Sequence, residues 1–114
     1  MKWRATLTNE EFKRYTEECG YTYIDGREGV YAVNDKRDGV WLAEFVKEKQ
    51  KLKCCTDWSY PIGIEFKIDK IYPCEPVELI DISENNYKKY LNNMTKQKKE
   101  IIQAERERKL KEDF

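Results

Sequence analysis

Four thiols, Cys19, Cys54, Cys55 and Cys74, are the strongest candidates for covalent chemistry in this 114-residue sequence, because histidine does not occur in it. Without imidazole there is no ordinary general base near neutral pH, no Cys-His or Ser-His pair, and no zinc site that draws on histidine. A lone cysteine would then need a helix N-terminus or a close lysine to lower its pKa. Cys19 closes a helix expected over 9–19 and so stands at the wrong end of the dipole. The remaining role for such thiols is that of small hydrophobes. Structural zinc sites draw thiolates from pairs separated by a few residues, whereas this chain has one adjacent pair and two isolated cysteines. Cys54 and Cys55, if they lie in a strand, also point to opposite faces. Neither a metal nor a cofactor is expected.

Phosphate chemistry fares no better. Gly20, Gly26, Gly29, Gly39 and Gly63 never cluster into a loop that could cradle a phosphate, and each falls where a turn or helix cap accounts for it. Acidic pairs such as Glu17 with Glu18, or Glu112 with Asp113, are ordinary solvated surface in a chain that is 39% charged. The Asn93-Met94-Thr95 triplet matches a glycosylation sequon by chance. These residues lead to the expectation of a protein that is not an enzyme.

Binding is what remains. Trp58, Tyr60 and Ile62 fall in a loop expected over 57–63, where large apolar side chains are not forced by strand packing and interface hot spots are commonly built. The competing reading is that Trp58 folds back over the core as a lid. The outer face of the terminal helix, with Arg106, Arg108 and Lys109, is a second candidate surface, suited by its mixed charge to steering and specificity. An alternative reading is a small barrel that binds nucleic acid, stacking bases on Trp41, Trp58, Tyr60, Tyr21, Tyr23 and Tyr31 beside Lys47, Lys49, Lys51 and Lys53.

The elements that must position these residues follow from periodicity. Trp3, Ala5 and Leu7 alternate with polar residues as a half-buried strand would. Thr8-Asn9-Glu10-Glu11 is a capping box, Leu7 and Phe12 occupy the positions of a hydrophobic staple, and Gly20 suits a left-handed cap after a helix over 9–19. Strands are expected at 21–25 and 30–34 around the Gly26 and Gly29 turn, and at 40–47, where both faces are apolar and the strand should be central and covered on both sides. The Lys47 to Lys53 stretch is compatible with an extended hairpin arm, an edge strand blunted by lysines or a short helix, and the hairpin arm is the preferred reading. Ile64, Phe66 and Ile68 alternate with Glu65, Lys67 and Asp69 as the cleanest strand pattern in the chain, Pro73 and Pro76 bracket a bend, and 77–82 forms a last strand. Ser83 caps a second helix with Ile82 and Tyr87 at staple positions; nothing stops that helix before Phe114, a length of about 46 Å at about 1.5 Å per residue. Tyr87, Tyr90, Leu91, Met94, Ile101 and Ile102 form its apolar stripe, and Tyr87, Met94 and Ile101 recur as a short heptad that breaks at Arg108.

The expected fold class is therefore α+β, an antiparallel sheet or small open barrel in the order β-α-β-β-β-β-β-β-α, with one short N-terminal and one long C-terminal helix. Residues 1–102 form a single domain that includes the first half of the last helix, and 103–114 form a charged helical extension. Twenty-two basic residues balance 22 acidic ones, which argues against a protein that coats phosphate backbones. No stretch is apolar enough for a secretory signal or a membrane span, so a soluble protein of the cytoplasm with reduced thiols and no membrane partner is expected. A short chain rich in Lys, Ile, Asn and Tyr has the composition of a small accessory protein of a phage or other mobile element. The function expected on that basis is inhibition of a host enzyme or defence complex by protein–protein contact, with the protein itself a monomer or homodimer.

Overall fold

The structure, a computed structural model, describes residues 6–112. Helix α1 spans Asn9–Glu18 and begins on the expected capping box: the Glu11 backbone N–H donates to the Thr8 hydroxyl at 3.1 Å and the Thr8 N–H to the Glu11 carboxylate at 2.9 Å. Both staple residues, Leu7 and Phe12, are buried. Cys19 caps the helix and Gly20 follows with φ +88°, a conformation that favours a residue without Cβ.

Among the described residues five strands then run as a meander: β1 (Thr22–Asp25), β2 (Val30–Val33), β3 (Trp41–Val46), β4 (Lys51–Ser59) and β5 (Tyr72–Asp81), each antiparallel to the next. Among the described residues the sheet is open, with β1 and β5 as its edges, rather than a barrel. Helix α2, Glu84–Glu112, ends the described chain. Its first turn is capped by the Ser83 hydroxyl, which accepts from the Asn86 backbone N–H at 3.0 Å, and Ile82 and Tyr87 are buried as a staple pair.

Both helices lie on one face of the sheet. The register places Ala32, Ala43, Phe45, Leu52, Cys54 and Ile80 on that face, where they meet Phe12, Tyr87, Leu91 and Met94. Phe12 stacks on Tyr87 at 4.7 Å between ring centroids and meets Phe45 edge-on at 5.2 Å. Two hydroxyl links fix the layers. Thr16 donates to the Phe12 carbonyl at 2.6 Å and stands 2.7 Å from the Tyr87 hydroxyl, which joins α1 to α2. Where β3–β4 pairing ends at Ala43 and Cys54, the Tyr90 hydroxyl comes within 2.9 Å of the Leu42 carbonyl and 2.6 Å of that of Cys55.

Several expectations are corrected. The strand expected at Ile64 to Ile68 is a pair of 3-10 turns, Gly63–Glu65 and Ile68–Lys70. Alternation alone cannot make a strand, which also needs a partner; β4 is already paired on both sides, by β3 and β5, and this segment is the connection between β4 and β5. Its backbone is satisfied locally, Phe66 N–H to the Gly63 carbonyl at 3.1 Å and Lys70 N–H to that of Lys67 at 3.0 Å. Pro73 and Pro76 do not bracket a bend. They lie inside β5, tolerated because one side of an edge strand needs no ladder bond, and the register shifts there opposite Cys55 and Asp57. The 47–53 stretch divides into a 3-10 turn at Lys47–Lys49, a left-handed Gln50, and the start of β4. Strand β3 is central, but among the described residues both helices lie on one of its faces and no element covers the other. Of the first expected strand, Trp3 and Ala5 lie outside the described residues and Leu7 is buried without strand pairing. No helix among the described residues is long and apolar enough to cross a membrane.

Candidate docking groove

Trp58 is removed from the candidate surface by its burial. It lies in β4 rather than in a loop, only 4% exposed, and its indole N–H donates to the Met94 carbonyl of α2 at 3.0 Å. The lid reading is the one the packing bears out, because an indole carrying its own donor fits the sheet–helix interface where a helix carbonyl can accept it. Tyr60 and Ile62 do lie on the surface. Tyr60 meets Phe66 edge-on at 6.2 Å, and Ile62 is 73% exposed.

Of the two surfaces singled out in the sequence, the helix face with Arg106, Arg108 and Lys109 borders a groove, whereas Trp58, Tyr60 and Ile62 do not line it. The connection from Gly63 to Ile68 lies alongside the distal half of α2, and together they enclose a groove of about 420 Å³. Its apolar wall comes from Ile64, Phe66, Ile68 and Ile102. Arg106, Arg108 and Lys109 border it from α2, and Lys67 from the opposite bank. Helical spacing puts Ile102, Glu105, Arg106, Lys109 and Glu112 on one side of α2. Arg108 is held within its own helix, donating to Glu105 at 3.0 Å and to Glu112 at 2.7 Å, contacts that raise its pKa further above the ordinary value.

Sequence reasoning missed Ile64, Phe66, Ile68 and Lys67 as surface residues because their alternation reads as a buried strand. Ile64 is 99% exposed. The signal that could have found them is local: Pro61 and Gly63 precede the run, and Gly63 takes φ +78°, a conformation at odds with a continuing strand.

A second hollow, about 880 Å³, lies between the β2–β3 turn and the β4–β5 connection, with Lys98 of α2 also lining it. The charged groups contributed by the turn and by α2 are engaged with one another or with Asn34. The Arg37 guanidinium donates to both Asp35 carboxylate oxygens at 3.1 Å, and this contact, with the Arg37 backbone N–H, holds Asp35 down to about 2. Asp38 accepts from the Asn34 amide at 3.1 Å and the Val40 N–H at 2.8 Å. Lys98 donates to the Asn34 side-chain oxygen at 3.1 Å while its ammonium lies 5.2 Å from the centre of the Trp58 ring; burial pulls its pKa down. Among the described residues no buried side-chain nitrogen or oxygen lacks a partner, and no three carboxylates or thiols converge as metal ligands would.

The thiols are pushed away from nucleophilic character. Burial raises Cys54 to about 12 and Cys55 to about 11, and Cys19 and Cys74 are shifted upward for the same reason. The aromatic set of the nucleic-acid reading is divided as well. Tyr21 and Trp58 are core residues, whereas Tyr31 and Trp41 lie on the helix-free face, with Glu44 opposite Tyr31 and Lys53 over the Trp41 ring. The heptad Tyr87, Met94, Ile101 is spent within the chain, the first two buried and the third packed on the core. Comparison with protein-family models, with curated proteins and with solved structures finds no match.

Proposed function

We propose that this protein acts without catalysis, by seating a segment of another protein in the groove between the Gly63–Ile68 connection and the distal half of α2. The observation that carries this reading is Ile64, a large aliphatic side chain left 99% exposed on a connection whose 3-10 turns are closed by their own backbone bonds. Water contact with such a side chain is unfavourable by about 1.5–3 kcal/mol relative to burial, and a partner recovers that free energy on docking. Around it lie more apolar side chains and a charged border, the arrangement of an interface centre and its rim. Tyr60, through its contact with Phe66, and Ile62, one residue before Gly63, extend the same surface. The absence of histidine and the upward-shifted thiols support a non-catalytic role. Obstruction of a host enzyme or defence complex by a phage-type accessory protein is the form of this reading that composition favours.

Affinity capture from a lysate of the native cell, after nuclease treatment, tests it. The wild-type chain should retain one protein and Ile64→Asp should not. Capture that depends on nucleic acid, or turnover of a small compound by the pure protein, would remove the proposal.

A further inference from the structure

The groove is not neutral. Four cationic side chains line it, Lys67, Arg106, Arg108 and Lys109, against two carboxylates, Glu105 and Glu112. Arg108 bridges both carboxylates, and that triad keeps one net negative charge, so Lys67 on one bank and Arg106 and Lys109 on the other leave the groove with a net excess of two positive charges. The chain as a whole has no net charge, which makes this a local excess rather than a share of a basic surface. Cations on both banks of an apolar trough favour an occupant with carboxylates on both sides of its apolar anchor, and they disfavour a basic one through like-charge repulsion.

We infer that the groove selects protein segments in which an aliphatic or aromatic anchor is flanked by Asp or Glu. This deepens the docking reading above and rests on it. The anchor enters between Ile64, Phe66, Ile68 and Ile102, while the flanking carboxylates meet Lys67, Arg106 and Lys109. Arg108, already held by Glu105 and Glu112, fixes the helix side of the border instead of binding the partner.

Selection of a displayed library of random peptides on the intact protein tests the inference, with counter-selection on Ile64→Asp. Ile64→Ser serves as a second groove variant should the first unfold, as judged by thermal melting. The expected survivors combine Leu, Phe or Trp with Asp or Glu, and their affinity falls at least about tenfold when Arg106→Glu and Lys109→Glu are combined. The paired change Arg106→Lys and Lys109→Arg keeps most of the binding, and added salt weakens it. Groove-dependent peptides without acidic bias would overturn the charge selectivity and leave the docking reading standing. If no peptide depends on Ile64, both fall. Self-association that rises with concentration and is lost in Ile64→Asp would overturn the inference in favour of a second copy of the chain as occupant.

Discussion

Tyr87 illustrates how single residues hold this molecule together. Its ring stacks on Phe12, and its hydroxyl meets Thr16, whose own hydrogen is directed to the Phe12 carbonyl, so Tyr87 is the donor in that pair. Tyr87→Phe removes the donor but leaves Thr16 with its carbonyl partner. A loss of about 1 kcal/mol is expected in urea denaturation, well below the roughly 3–5 kcal/mol expected for Phe12→Ala. Titration at this scale has a definite sign. Cys54 and Cys55 are raised by burial from 9.0 to about 12 and about 11, and burial lifts the Tyr87 and Tyr90 hydroxyls from 10.0 as well. Above pH 9 the unfolded chain releases thiol protons that the fold retains. Stability is therefore full below that pH and declines as pH rises towards 11–12, by up to about 1.4 kcal/mol per pH unit for each thiol. Equilibrium unfolding between pH 7 and 11 checks this, and Cys54→Ala with Cys55→Ala should flatten the decline at its onset. Features that depend only on neighbours in the chain, such as the Thr8–Glu11 box and the Ser83 cap, are legible from the residue types and their spacing. The burial of Trp58 is not, because it depends on a helix carbonyl 36 residues away.

Among the elements, α1 and the Gly63–Lys70 connection each depend on one residue at the start. Thr8→Ala breaks the capping box and should cost about 1 kcal/mol, read as a lowered midpoint in thermal or urea unfolding. Gly63→Ala meets no steric neighbour, yet its φ of +78° makes a Cβ unfavourable, and a loss of about 1 kcal/mol is expected. Periodicity describes β1, β2, β3 and α2 well because each has a partner to bury its apolar side. It fails for the connection because a period of two records which side chains are apolar, not whether a neighbouring strand has a free edge. Pro73 and Pro76 mislead for the converse reason: an edge strand accepts residues that an interior strand would reject.

At the largest scale, among the described residues two helices cover one face of a five-stranded open sheet, and the far end of α2 runs alongside the β4–β5 connection. The α+β class and the order of the long elements are readable from the sequence. The groove is not, because its two banks lie far apart in the chain and each alone looks like something else, a strand and a solvated helix face. Its exposed isoleucine contributes little to the fold, so Ile64→Asp should change unfolding free energy by less than about 0.5 kcal/mol while abolishing partner capture. Hydrogen exchange of the protein with and without its captured partner measures the proposed contact most directly. Slowed exchange is predicted in peptides covering 62–70 and 101–112, with β1 and β2 unchanged. Slowed exchange confined to the helix-free face around Tyr31 and Trp41, with both groove segments unaffected, would contradict it.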